Sequence, residues 1–260
     1  MDETIRIDRD ARGVATIWLN RPDKHNVMSG LMMAELRGAA LALGADASVR
    51  VVILGGLGPS FCAGGDLDWM RAQIAADSAT RATEAAKIAR ALQALNTMPK
   101  PLIGRIHGNV MGGGVGMTSV CDVAVAAETA RFGLTETKLG LIPATISPYV
   151  IARMGEARAR RVMMSSRVFD ADEARDLGIV AKVVAEESLD AAIEAEVVPY
   201  LSCAPGAVAA AKALTRRMGP QIDEALIAET IQALVERWES PESAEGIAAF
   251  FEKRAPVWKV

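Results

Sequence analysis

The segment VMGGGVGMTSVCD, residues 110–122, places three glycines directly before a short apolar run. Adjacent glycines lose more conformational freedom on folding than other residues do, so a backbone requirement is expected here. One such requirement is a helix start whose free N–H groups must approach an anionic group closely. A flexible surface loop explains the glycines alone equally well, so the surrounding sequence has to decide between the two.

The segments on both sides of these glycines predict a mixed α/β fold. The preceding PLIGRIHGN and the following DVAVAAE have the composition of strands. The same order of strand, glycine turn and helix occurs earlier, where the apolar run VRVVILGG leads through GPSFCAGGDLDWM into a helix. Beyond about Ile151 the pattern becomes mostly helical. We therefore predict an α/β core over residues 1–195 and a helical C-terminal region over residues 196–260.

Composition and charge exclude several classes of protein. The chain has 260 residues and a formal charge of −3, which does not favour a nucleic-acid partner. Three separated cysteines and two histidines predict neither a disulfide framework nor a metal site. The charged start MDETIRIDRDARG is unlike a signal peptide, and the apolar runs are too short to cross a membrane. A cytoplasmic location without membrane contact is therefore expected.

Two glycine turns carry the first hint of chemistry. FCAGGDLDWM contains Gly65 and HGNVMGGGVGM contains Gly113, and both turns precede predicted helices. If the turns lie side by side, the two backbone N–H groups can point at one oxygen atom that becomes negative during a reaction. Tight packing alone would also explain either turn. Asp66 fits a helix cap better than a catalyst.

Five segments together resemble the crotonase superfamily of enoyl-CoA hydratases and isomerases. They occur in the family's order across nearly the whole chain and are NRPDKHN, FCAGGDLDWM, GGGVGMTSVCDVAVAAETARFGLTETKLGLIP, DADEARDLGIV and GIAAFFEKR. The resemblance implies a crotonase fold, a spiral of ββα turns with a helical C-terminal trimerisation region. It also implies an acyl-CoA thioester substrate and a homotrimer or hexamer. No separate cofactor is implied, because coenzyme A is part of the substrate.

The resemblance also implies roles for individual residues. Gly65 and Gly113 match the family's oxyanion-hole donors, and Glu136, in FGLTETKLG, matches a catalytic acid/base. The residues predicted to contact coenzyme A are Lys24, Ala63, Gly65, Asp66, Leu67, Phe250 and Lys253. Some of them match positions that, in part of the family, reach the coenzyme A of a neighbouring subunit.

This sequence departs from the family pattern at two places. Many hydratases of the family carry a second glutamate three residues after the oxyanion glycine, where this chain has Gly116. The usual glycine-rich stretch after the second glutamate is replaced here by IPATISPYV, which resembles bacterial hydratases of the methylglutaconyl-CoA type. On this basis the predicted lining of the acyl pocket consists of Gly116, Pro143, Ser147 and Tyr149.

The sequence thus favours hydration of a short, branched or carboxylated 2-enoyl-CoA by an enzyme with Glu136 as acid/base. A substrate carboxylate could then replace the acid that is missing at Gly116. One alternative is a Δ3–Δ2 enoyl-CoA isomerase, which needs only one carboxylate to move a proton. Another is a non-catalytic acyl-CoA or RNA binder. The acidic balance of the chain and the presence of Glu136 argue against it.

Overall fold

A computed structural model describes residues 3–260 of the chain, and within them the strands form two sheets. The strands are β1 (Ile5–Arg9), β2 (Val14–Leu19), β3 (Val51–Gly56), β4 (Leu102–Ile106), β5 (Asn109–Met111), β6 (Val123–Ala127), β7 (Arg131–Gly133), β8 (Val168–Asp170) and β9 (Lys182–Val184). The larger sheet has the order β1-β2-β3-β4-β6-β9, and the smaller has the order β5-β7-β8. Only the β1–β2 and β7–β8 pairs are antiparallel.

Helices surround the sheets and make up most of the C-terminal part. They are α1 (Gly30–Ala45), α2 (Leu67–Ala75), α3 (Ser78–Thr97), α4 (Gly113–Ser119), α5 (Ser147–Met154), α6 (Glu156–Met163), α7 (Ala171–Asp176), α8 (Leu189–Leu201), α9 (Pro205–Met218), α10 (Glu224–Trp238) and α11 (Pro241–Phe251). Short 3-10 turns occupy Pro22–Lys24, Glu136–Leu139 and Glu186–Ser188.

The large sheet is buried on both faces, which explains its almost continuous apolar strands. In β3, Val52 and Leu54 belong to the core cluster that also contains the buried residues of α1 and α3. The alternate residue Val51 packs on the opposite face with Leu189 and Ile193 of α8. Helices therefore cover both faces, as the mixed α/β pattern predicts.

Local polar residues set where the helices begin. The Ser29 hydroxyl accepts a hydrogen bond from the N–H of Met32 at 3.2 Å and thereby caps α1. Asp77 and Asp223 accept equivalent bonds from Thr80 and Leu226 at 2.8 and 2.9 Å. Each cap satisfies an N–H group that the first helical turn leaves without a partner.

The structure confirms the α/β class and corrects one detail of the prediction. The predicted boundary between residues 195 and 196 falls inside α8, which packs against the large sheet and ends at Leu201. The segment after Ile151 is mostly helical, as predicted, and it also contains the short strands β8 and β9 at the edges of the two sheets. No single helix within residues 3–260 is long and apolar enough to cross a membrane; one bent pair, Glu186–Leu201 with Pro205–Met218 at 106°, could do so by length and composition only.

Candidate active site

Three chain segments run side by side and end at one cavity. Val110 in β5 pairs with Cys62 on one side and with Phe132 in β7 on the other, in parallel each time. Parallel neighbours finish at the same edge. The continuations of these segments, which carry Gly65, Gly113 and Glu136, therefore meet there.

The cavity has a volume of about 400 Å³ and an apolar wall. Gly65, Gly113 and Glu136 all line it. Within the described residues 3–260, its lining contains no lysine, arginine or histidine, and Glu136 is its one acidic side chain. Much of the remaining wall is aliphatic or aromatic and includes Trp69, Met70, Ile88, Leu141, Ile146, Leu234, Trp238 and Phe250.

The Gly65 turn is fixed by hydrogen bonds to the segment before α1. Met28 donates its N–H to the carbonyl of Gly64 at 2.8 Å, and its own carbonyl accepts the N–H of Asp66 at 2.9 Å. The Asp66 carboxylate then caps α2 through the N–H groups of Asp68 and Trp69, and it pairs with Arg21 at 2.8 Å. Burial raises the pKa of Asp66, but the hydrogen bond from Arg21 and the two backbone donors bring it below its usual value. Asp66 thus holds the turn as an ion.

The glycine cluster is required by close packing. Gly112 has φ +51°, a conformation that favours glycine, and its N–H bonds to the carbonyl of Gly133 at 2.8 Å. A Cβ atom on Gly113 would lie 2.0 Å from Cε of Met28, and one on Gly114 would lie 2.8 Å from the carbonyl oxygen of Cys62. The surface-loop interpretation is therefore wrong, because these glycines are closely packed and lead into a buried helix.

Two backbone donors remain free at the cavity. Within residues 3–260, neither the N–H of Gly65 nor that of Gly113 has a hydrogen-bond acceptor. Gly113 is the first residue of α4, so its N–H has no partner inside the helix. Both groups belong to residues that line the cavity, and a ligand oxygen can accept from them.

Within the described residues 3–260, Glu136 supplies the one carboxylate of this cavity. Oε2 is buried and has no hydrogen-bond partner within residues 3–260. Oε1 lies beside Gly112, since a Cβ atom built there would be 2.9 Å from it. Burial raises the pKa of Glu136 from 4.5 to about 7. A carboxyl group with that pKa can accept and return a proton near neutral pH.

The raised pKa of Glu136 predicts a cost in stability at high pH. The folded protein binds more protons than the unfolded chain between pH 4.5 and about 7, so the unfolding free energy falls as pH rises through this window. The full cost above pH 7 is on the order of 3 kcal/mol. We expect Glu136→Gln to be more stable than the wild type at pH 8 by an amount that shrinks toward pH 4.5. Urea unfolding of both proteins at the two pH values measures this difference, and a pH-independent difference would contradict it.

Ile146 fills the place in which the resemblance expects a second carboxylate. A Cβ atom on Gly116 would lie 2.6 Å from Cγ2 and 2.8 Å from Cβ of Ile146. Ile146 lines the cavity, and Gly116 does not. The prediction that Gly116 lines the acyl pocket is therefore wrong, because Ile146 lies between Gly116 and the cavity.

The other predicted pocket residues divide into two groups. Pro143 lines the cavity, but Ser147 and Tyr149 do not, so these two predictions are corrected. The Ser147 hydroxyl instead donates to the carbonyl of Ala144 at 2.7 Å. Tyr149 lies further along α5, where the turn of the helix directs it to a different cavity.

The residues predicted to contact coenzyme A are also divided. Ala63, Leu67 and Phe250 line the cavity, next to Gly65. Lys24 and Lys253 are exposed and lie outside its lining, with the Lys24 ammonium 3.7 Å from the Asp68 carboxylate. The binding roles of all these residues stay predictions.

Sequence reasoning missed several residues of the site. Met28 covers Gly113, and Ile146 occupies the place where the resemblance expects a carboxylate. Trp69 and Trp238 form an edge-to-face pair in the wall, with ring centres 6.2 Å apart. Trp69 and Trp238 are far apart in sequence, and no local pattern indicates that they meet. Only the fold brings them together.

Comparison with known proteins agrees with this arrangement. A family profile described as "Enoyl-CoA hydratase/isomerase" matches residues 9–260. The chain is 34% identical over 257 residues to the probable enoyl-CoA hydratase echA8 of Mycobacterium bovis, which covers 98% of this chain and 97% of that protein. It is 32% identical over 271 residues to the mitochondrial methylglutaconyl-CoA hydratase of Rattus norvegicus, which covers 97% and 81%.

Solved structures show the same fold. The crystal structure of an enoyl-CoA hydratase from Shewanella pealeana matches with a TM-score of 0.82 and 36% identity, over 99% of this chain and 97% of that one. The fold and the site define a crotonase-type protein. The chain belongs to the enoyl-CoA hydratase/isomerase family.

Proposed function

We propose that this chain adds water to a short 2-enoyl-CoA thioester whose acyl group is branched or carries a carboxylate. One observation carries the proposal: the free N–H groups of Gly65 and Gly113 and the unpartnered Oε2 of Glu136 belong to residues of the same apolar cavity. Such a set suits a reaction in which a carbonyl oxygen becomes negative while a proton moves at the neighbouring carbon.

The two N–H groups would bind the thioester oxygen. When water adds to C3, the electrons of the C2=C3 double bond move toward C1, and the thioester becomes an enolate with its charge on that oxygen. Each preorganised donor in such a site stabilises the transition state by roughly 2.7–4 kcal/mol. The apolar wall strengthens this effect, since charge–dipole interactions are stronger where water is excluded.

One carboxylate can complete the proton balance of the reaction. Ionised Glu136 takes a proton from water while the water oxygen bonds to C3. The protonated Glu136 then gives that proton to C2 of the enolate, and the thioester carbonyl forms again. Glu136 returns to its starting state, so no second carboxylate is consumed at the position of Gly116.

Two different observations bear on the acyl group. Within residues 3–260 the cavity lining has no basic side chain, so it favours an uncharged hydrocarbon over a buried carboxylate. The similarity to a methylglutaconyl-CoA hydratase favours a carboxylated chain, whose charge would then lie toward the cavity mouth. Comparison of 3-methylcrotonyl-CoA with 3-methylglutaconyl-CoA separates the two classes.

Double-bond isomerisation is the second candidate, and Ile146 is the observation that favours it. The side chain that stands against Gly116 is a hydrocarbon, so Glu136 is the one group of the cavity that can carry a proton. In this reaction Glu136 would take a proton from C2 of a 3-enoyl thioester and return it at C4, which moves the double bond from C3–C4 to C2–C3. No water is added.

Mass spectrometry of a thioester panel tests the proposal. The panel contains crotonyl-CoA, the two 3-methyl substrates and a 3-enoyl-CoA, each incubated with the wild type and with Glu136→Gln. A gain of one water on a 2-enoyl substrate by the wild type alone supports hydration. In deuterated water, uptake of deuterium by only the 3-enoyl substrate, without a gain of water, would support isomerisation and overturn our first choice.

The pH dependence of kcat/KM follows from the same carboxylate. Glu136 must be ionised to act as a base, and its raised pKa of about 7 means that protonation removes activity below neutrality. We expect kcat/KM to level off above pH 7 and to fall about tenfold per pH unit below it. Steady-state rates from pH 5.5 to 8.5 check this, and a constant kcat/KM from pH 5.5 to 7 would contradict the role of Glu136.

A further inference from the structure

A second cavity lies where α5 and α9 meet the C-terminal end of α4. Its volume is about 530 Å³, and it shares no lining residue with the active-site cavity. We name it the arginine cavity, because its lining includes Arg153, Arg216 and Arg217. Within residues 3–260 no acidic side chain lines it, although the whole chain carries a formal charge of −3. The cavity is therefore a local concentration of positive charge.

Tyr149 lines this cavity and, in the part of the chain that the structure describes, carries a polar group without a partner. The residue is only 3% exposed, and its hydroxyl has no hydrogen-bond partner within residues 3–260. A buried hydroxyl without a partner is unfavourable and rare, so a missing ligand is a physical reason for it. Burial raises the pKa of Tyr149 to about 12, which keeps the hydroxyl protonated as a donor.

Two of the three arginines are equally unused. Within residues 3–260, the guanidinium groups of Arg216 and Arg217 have no carboxylate within 4.0 Å and donate no hydrogen bond. Arg153 is already engaged, since its Nε and Nη2 donate to the carbonyl of Ser119 at 3.2 and 3.1 Å. Glu224 is the acidic residue whose charge acts on Tyr149, and it is paired with Arg90 at 2.6 Å. The free positive charge of the cavity thus comes from Arg216 and Arg217.

We propose that the arginine cavity binds a small organic phosphate through the Tyr149 hydroxyl and the guanidinium groups of Arg216 and Arg217. Guanidinium groups match phosphate oxygens in geometry and charge, and a tyrosine hydroxyl adds a neutral donor. The volume exceeds what a single phosphate ion needs, and Ile222 and Pro220 supply apolar surface for an organic body. This site is separate from the proposed reaction and does not depend on it.

Titration with phenyl phosphate at constant ionic strength tests this proposal. We expect saturable binding to the full chain by calorimetry or phosphorus NMR. Tyr149→Phe should weaken it about fivefold and Arg216→Gln about tenfold or more, as loss of one neutral and one charge-assisted bond predicts. Tyr149→Phe is expected to keep its thermal stability, because it removes a polar group that is buried without a partner.

Matched variants locate the bound phosphate. Tyr200→Phe changes the only other tyrosine of the chain, which lines neither cavity, and should leave the Kd within about twofold of the wild type. Lys24→Gln, near the active-site cavity, should do the same. The proposal is overturned by an absence of saturable binding, by an unchanged Kd in Tyr149→Phe or in Arg216→Gln, or by a loss of binding in Lys24→Gln.

Discussion

Replacement of Glu136 by glutamine is expected to lower kcat for the enoyl-CoA reaction by about 10³-fold, within the range that a positioned acid/base contributes. Glutamine has the same shape but cannot take a proton from water or from carbon. The substrate Kd should change little, because the oxyanion donors at Gly65 and Gly113 and the apolar wall stay in place. Steady-state kinetics together with equilibrium binding of the thioester separate the two quantities.

Glu128→Gln is the matched control for this prediction. Glu128 lies at the exposed end of β6 and does not line the cavity, so the same chemical change there should leave kcat unaltered. A Glu136→Gln protein with more than about a tenth of wild-type kcat would show that another group carries the proton. Loss of binding with kcat intact would instead make Glu136 a binding residue.

Introduction of a glutamate at Gly116 is expected to destabilise the protein by about 4 kcal/mol or more rather than to improve hydration. Any side chain at this position must displace Ile146, whose Cγ2 would lie 2.6 Å from the new Cβ. The added carboxylate would also be buried, because every residue of α4 is buried, and an unpaired buried charge is costly. Urea unfolding measures the loss in free energy.

A double-mutant cycle tests whether contact with Ile146 causes the loss of stability at position 116. Gly116→Ala alone should cost about 1–3 kcal/mol by overpacking, and this cost should largely vanish in an Ile146→Gly background. An additive cycle would contradict the steric account. The double variant Gly116→Glu with Ile146→Gly is then the protein in which a second carboxylate can be tested for hydration, since the side chain has room there.

The sequence allowed prediction of those parts of the site that depend on order along the chain. The two glycine turns and FGLTETKLG each follow a strand-like segment, and parallel pairing through Val110 brings these three segments to one edge. Position along a strand is enough to bring Gly65, Gly113 and Glu136 together, although their chemical roles stay predictions. The buried parallel strands were predictable for the same reason, since their apolar runs are local.

Features that depend on contacts between distant elements were not predictable. Ile146 meets Gly116 only because the start of α5 packs on α4, and no pattern in either segment indicates that contact. Tyr149 was expected in the acyl pocket because it belongs to the stretch IPATISPYV, but the turn of α5 directs it to the arginine cavity. Strands β8 and β9 have only three residues each, too few to show a period.

The central claim is that Glu136 moves a solvent-derived proton to C2 of a thioester whose oxygen is bound by Gly65 and Gly113. The most direct measurement is the position of deuterium in the product formed from crotonyl-CoA in deuterated water, by the wild type and by Glu136→Gln. We predict one deuterium at C2 and a new hydroxyl at C3 with the wild type, and almost no product with the variant. Rapid formation of the same product by Glu136→Gln would contradict the account.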